Sequence, residues 1–368
     1  MKVRGELFLV GERASKYFDA FEQIVEAASS QETWSKDSID KLLCERLLAT
    51  LSAESDAEIS VQANTLIAKL NSQPKDYRIE LSVFGLDLDC NGITFGDVTF
   101  IVAAHNPTFL HPSLPEELRG NILFAGISVT AIDETTALEI ASSRIDRHLA
   151  VLNAICSDYP PSLVRISRTF LANFNYSIQR IGTDRGSGTT NLTSGTRTRL
   201  LRRPDVDVIF ERHGGKPLSE LIKKESQISL RIVSAFETAG IACLEDQPHI
   251  SFLLFAIALE SAVLGKQNKE ELTLQLALRT SHLLSASMKG RKQTFDRVKR
   301  LYRVRSKIVH SGSTNVLRKD VAEMKYVCFS ALYSLLSYDR VCSLEQDEDL
   351  ENWFTTQLLD SRTIEVAD

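Results

Sequence analysis

Leu301-Tyr302-Arg303-Val304-Arg305-Ser306-Lys307-Ile308-Val309-His310-Ser311-Gly312 is the stretch on which the reading of this chain turns. Its apolar residues recur at helical spacing, and Gly312 stands where a helix stops. It closes a longer helical pattern over 294–310, with further helical patterns on both sides. Leu218, Leu221, Ile222, Ile228 and Ile232 begin the series, and the apolar run 250–264 and the segment 272–284 follow. Val321, Met324, Cys328, Ala331 and Leu335 end it. Four or five helices joined by short polar links predict an all-α bundle over residues 217–342.

Upstream, the period changes. Helical spacing is expected over 14–28 and 38–70, with Ile39, Leu42, Leu43, Leu47 and Leu51 on one face. Ile79, Leu81 and Val83 then alternate as in a strand, and 93–103, 122–129, 169–181 and 206–210 read as further strands. Asp133 is placed to cap a helix over 134–155. The Gly-, Ser- and Thr-rich segment 182–195 is expected to be a loop. The predicted class is α+β, with a mixed α/β domain over residues 1–211 and the helical bundle after a break at 211–217.

With 368 residues, 43% hydrophobic and 25% charged, the chain has ample material for a core and no signature of collagen or wholesale disorder. No apolar run is long enough to span a bilayer, and no signal peptide is evident at the first residues. The six Cys form no CxxC pair. A cytoplasmic chain without a membrane association, disulfide framework or zinc ribbon is expected.

Several familiar signals fail. Asp87, Asp89 and Asn91 open like a calcium loop, but Val98 occupies the position of the bidentate Glu. His105 and His111 flank an Asn-Pro without a third metal ligand. No HExxH, GxSxG or GxGxxG occurs. Neither a metal nor a cofactor is expected.

Charge is polarised. Residues 289–307 carry nine basic side chains against Asp296, whereas the rest of the chain sums to −13. The acidic tail 343–368 holds eight acids against Arg362. A basic element in an acidic protein suits a polyanion, but on charge alone a solvated face balanced by neighbouring acids is the favoured reading. The tail is expected to be a disordered solubilising end, the alternative being a mask over the basic helix.

At 100° per residue, Val298, Leu301, Tyr302, Ile308 and Val309 fall within roughly 60° of Arg305. Arg305 therefore leaves the apolar face, where an unpaired guanidinium is costly. Glu260, the lone charge in its apolar run, is the candidate partner inside the chain. A phosphate arriving at an interface is the other. His310 projects about 140° away, beside Lys299, Arg303, Ser306 and Lys307. Either the helix loosens near Gly312, or two protomers bring their helices together.

The phrase Leu301-Tyr302-x-x-Arg305-Ser306-x-x-x-His310-x-Gly312 resembles the motif of the HEPN superfamily, an Arg followed after four to six residues by His. The Apea-like HEPN domains are the most similar branch, and the resemblance covers about residues 217–342. It implies a homodimeric, metal-independent endoribonuclease acting in toxin or antiviral defence systems. Arg305 would stabilise the scissile phosphate of RNA and His310 would act as acid or base. Ser306 and Glu260 would support them, while Lys307, Arg303, Lys299 and Arg300 would guide the RNA backbone. The family also admits a non-catalytic reading, in which the bundle binds RNA or dimerises. A protein regulator or antitoxin would restrain the activity. HEPN toxins silenced by nucleotide transfer carry Tyr two residues beyond the His; here that residue is Gly312, so this form of control is not expected.

Overall fold

In the structure, a computed structural model, residues 73–83, 85–88, 92–102, 123–156, 166, 173–180, 185–191, 201–224, 226–264 and 272–359 are described, with short pieces among 2–68. The expected helix over 14–28 and both His105 and His111 lie outside these residues. Of the pattern over 38–70, Ile39 and residues 41–45 are helical, with Ile39, Leu42 and Leu43 buried.

Two compact units make up the chain. The first comprises Met1–Leu81, Gly126–Arg144 and Asn175–Thr189. Its strand β1 (Lys75–Val83) buries Tyr77, Ile79, Leu81 and Val83, as period-two alternation requires. Four strands lie side by side in the order β4 (Leu123–Ala131), β1, β5 (Asn173–Arg180) and β6 (Arg185–Asn191). Antiparallel pairing of β1 with β5 sets Ile79 opposite Ile178. The strand β6 falls inside the segment expected to be a loop. Helix α1 (Glu134–Cys156) starts as anticipated, with Asp133 Oδ1 accepting the Thr136 amide at 2.8 Å.

The second unit comprises Ser82–Ala125, Ile145–Phe174 and Thr190–Asp368. It therefore takes in residues that the sequence reading assigned to a separate domain ending at 211. Three contacts explain this. Of the stretch 93–103, residues 93–102 form a hairpin of β2 (Ile93–Phe95) and β3 (Val98–Val102), turning at Gly96 with φ +62°. Gly96 N donates to Ser219 Oγ at 2.9 Å, and Asp97 Oδ1 lies 2.7 Å from the buried His148 Nε2. Further along α1, the Ala150 backbone meets Gly240.

Residues 206–210, expected as a strand, belong instead to helix α2 (Arg203–Arg212). Local chemistry overrides the apolar run here. Pro204 sits in the first turn, Asp205 accepts the Arg202 amide, and Arg203 pairs with Asp207 one turn on. Val206 and Ile209 are buried at i, i+3 spacing.

The bundle follows: α3 (Gly215–Lys223), α4 (Gln227–Leu244), α5 (Pro248–Val263), α6 (Leu272–Leu284), α7 (Met288–Ser311) and α8 (Arg318–Ser337). A short α9 (Asp339–Cys342) and α10 (Asp347–Leu359) end it. The principal packings are α4 on α5, α5 on α8, and α6 on α7. Phe236, Phe252, Phe255 and Phe329 are buried, each worth about 1.5–3 kcal/mol over an exposed side chain. Among the described residues α4 alone has the length and hydropathy of a membrane span, and more than half of it is buried in protein.

The acidic tail is not a disordered end where it is described. Leu350, Trp353 and Phe354 recur at i, i+3, i+4 within the run of acids and are buried. Trp353 packs edge-on against Tyr338 with centroids 5.2 Å apart. Glu351 forms a two-pronged pair with the buried Arg279 of α6, whose guanidinium also lies 5.0 Å from the Phe354 ring centre. Within α10, Glu348 and Asp349 are exposed, Asp347 and Glu351 pair with Arg231 and Arg279, and the aromatic stripe faces the core.

Candidate functional site

Helix α7 carries every basic candidate. Ser287 caps it by accepting the Gly290 amide at 3.2 Å. It ends at Gly312, whose φ of +62° is the left-handed conformation that glycine adopts without penalty. Thr294, Val298, Leu301, Tyr302 and Ile308 form its buried face. Val309, assigned to that face by angle, is 50% exposed. In the last turn Ile308 is still packed, whereas Val309, His310 and Ser311 are exposed.

Arg305 leaves the apolar side as expected, and Glu260 of α5 meets it. Nε lies 3.4 Å from Glu260 Oε1, with the two side chains 32% and 25% exposed. The contact is an ion pair without hydrogen-bond geometry; Nε is shielded from solvent and makes no hydrogen bond among the described residues. The better hydrogen bond to the same oxygen comes from Tyr302, whose hydroxyl donates at 2.7 Å. Burial drives the tyrosine pKa well above its ordinary value, and the neighbouring Glu260 charge adds to the shift. Helix α5 is apolar all round, so this carboxylate must find its partners on α7.

The other half of the candidate site faces outward. Arg303, Ser306, Lys307 and His310 are exposed. Lys299 is half-buried, its ammonium 5.2 Å from the centre of the Phe295 ring. Arg300 does not belong with the free cations. Its Nη1 donates to Asp320 at 2.6 Å and its Nη2 pairs with Glu323, both on α8. The Asp320 hydrogen bond raises its pKa above the usual arginine value. Part of the charge on α7 is therefore balanced by acids of a neighbour, and Arg300, expected to guide RNA, is tied to α8 with its side chain still 42% exposed.

Regular helix runs through Ser311, so no loosening before Gly312 turns His310 towards Arg305. Within one chain the imidazole and the guanidinium stay on different sides of α7. Sequence reasoning missed the Tyr302 hydroxyl as a ligand of Glu260. Its position one turn before Arg305, on the same face, was the available signal. Among the described residues, no three His, Cys, Asp or Glu side chains are grouped to hold a metal ion. No family model, curated protein or solved structure matches the chain.

Proposed function

We propose that this protein is a metal-independent endoribonuclease of HEPN type, working as a homodimer whose two α7 helices line one cleft. The carrying observation is that Arg305 remains one-third exposed while Arg303, Ser306, Lys307 and His310 are exposed on another side of the same helix, so that a second α7 is needed to bring a guanidinium and an imidazole to one phosphate. RNA brings its own nucleophile. The 2′-hydroxyl loses its proton to one imidazole as its oxygen bonds to phosphorus. The bond from phosphorus to the 5′ oxygen breaks, and that oxygen takes a proton from an acid, the partner's imidazole in a symmetric cleft. A 2′,3′-cyclic phosphate remains on the upstream fragment. The planar guanidinium of Arg305 suits the charge that grows on the non-bridging oxygens. In a defence or toxin setting the activity would be restrained by a protein regulator until triggered.

The pairing of Arg305 with Glu260 favours a second reading, in which the guanidinium is a strut and the bundle binds RNA or dimerises without cutting. Incubation with RNA in excess chelator, with analysis of product ends, separates the two. The nuclease reading expects cyclic phosphate ends from the wild type and no cleavage by Arg305→Ala or His310→Ala of unchanged helicity. Undiminished cleavage by either variant overturns it. A binder without cleavage should lose RNA steeply as salt rises.

A further inference from the structure

Tyr326 of α8 is 61% exposed, although Val327, Cys328 and Phe329 beside it are buried. A single exposed aromatic is ordinary on a protein surface and carries nothing by itself. Two further observations attach to this one. The Arg297 guanidinium of α7 stands 5.9 Å from the centre of the ring, inside the ~6 Å over which a cation is drawn to an aromatic face. Further along α7, and correspondingly back along α8, Arg300 pairs with Asp320 and Glu323. The two contacts are successive rungs between the helices, so the ion pairs fix the position in which ring and guanidinium meet.

The ring also borders the cationic helix. At 100° per residue, Lys289, Arg300 and Lys307 fall within roughly 80° of Arg297 around α7. Of these, Lys289, Arg297 and Lys307 are exposed, as are Arg318 and Lys319 at the start of α8. The neighbouring acids of α8, Asp320 and Glu323, are engaged by Arg300, and Asp296 is the only acid on this part of α7. An open aromatic face among exposed cations is the combination that single-stranded nucleic acid requires: a surface for a base and positive charge for its phosphates.

We infer that the exposed ring of Tyr326 stacks a base of single-stranded RNA beside Arg297, while the exposed cations of α7 follow its phosphates. The inference rests on the reading of α7 as an RNA-binding helix and adds the form of RNA it takes. A duplex keeps its bases stacked on one another, whereas an unpaired base of any identity offers a free face. Arg297 precedes Arg305 by about 12 Å along the helix axis, so the platform grips the strand away from the reacting phosphate. Tyr326 is a binding residue and not a catalytic one. Because the rungs to α8 hold Arg297 and the ring in place beforehand, little ordering remains when the base arrives.

Fluorescence anisotropy of the full chain with a 2′-O-methylated RNA strand of about twelve nucleotides tests the inference, since that probe lacks the nucleophile and cannot be cut. Tyr326→Ala should weaken binding of the single strand by about tenfold, and Tyr326→Phe should stay within about twofold of wild type. Tyr326→Ala should keep the wild-type salt dependence, having lost no phosphate contact, whereas Lys307→Ala should lower the slope by roughly 0.7. The matching duplex should bind equally to wild type and Tyr326→Ala. Far-UV circular dichroism establishes that each variant is folded. Undiminished single-strand binding by folded Tyr326→Ala overturns the inference and leaves the RNA reading standing. So does a loss in Tyr326→Phe as large as that in Tyr326→Ala, or an equal loss for strand and duplex. Failure of the wild type to bind either form overturns both.

Discussion

Tyr302 and Arg305, one turn apart on α7, converge on a single oxygen: Glu260 Oε1 lies 2.7 Å from the tyrosine hydroxyl and 3.4 Å from the arginine Nε. The tyrosine holds the carboxylate by a hydrogen bond, and the arginine meets it only by charge. Glu260 is therefore bound more firmly to the residue that has no other task. In the proposed nuclease, Arg305 is the partner that would leave for a phosphate.

Glu260→Gln should expose that asymmetry. The amide still accepts from Tyr302, so folding stability should fall by only about 1–2 kcal/mol, discounted for the partial exposure of the pair. Arg305, relieved of its counter-charge, should hold RNA roughly three- to tenfold tighter, as read by fluorescence anisotropy. Unchanged or weaker RNA binding would assign Arg305 a structural role.

Two glycines should respond for different reasons. A Cβ on Gly240 would stand 1.8 Å from the Ala150 carbonyl oxygen, which is backbone and cannot swing aside. Gly240→Ala should force α1 and α4 apart at a cost of about 3 kcal/mol or more in urea unfolding. Gly312→Ala meets no atom within 4 Å, but its φ of +62° should cost about 1 kcal/mol. Equal losses at the two sites would contradict the close crossing.

Glu351→Ala should leave the Arg279 guanidinium in the interior with only the Val263 carbonyl and the face of Phe354. Breaking a largely buried pair by removing one member should destabilise by about 3 kcal/mol. Limited proteolysis should then cut within Asp347–Leu359 well before the bundle. A protease pattern like that of the wild type would show that the aromatic contacts alone hold α10.

His282 should make stability depend on pH. Partial burial, and next the positive charge of Arg291, lower its pKa below the ordinary value of 6.5. The unfolded chain then binds more proton than the folded one between the two pKa values. The contribution is complete above about pH 6.5 and is lost as pH falls through the folded value. His282→Gln should flatten the urea midpoint over that interval, and a slope as steep as the wild type's would remove His282 as its source.

Some of the protein was legible because the governing interactions are local. The helices from 215 onward announce themselves through apolar spacing and caps such as Ser287 and Gly312, both of which act within a turn. Strand β1 shows its alternation, and α1 its aspartate cap. Where two local rules compete, the reading failed. Residues 206–210 look like a strand by composition, yet Asp205 and the Arg203–Asp207 pair start a helix. In the tail, eight acids outweighed the three apolar residues that dock it.

By itself, the order of residues determined that α7 is a basic helix with Arg305 on its apolar side and His310 on its wet side, because helical periodicity is a property of one segment. It also marked Glu260 as the charge that needed an explanation. Only the tertiary structure decided that Tyr302 shares that carboxylate, that Arg300 is spent on Asp320 and Glu323, and that the acidic helix is locked by Arg231 and Arg279. Each of those contacts joins helices through side chains whose partners are chosen by how the helices cross, a relation that no spacing along the chain encodes.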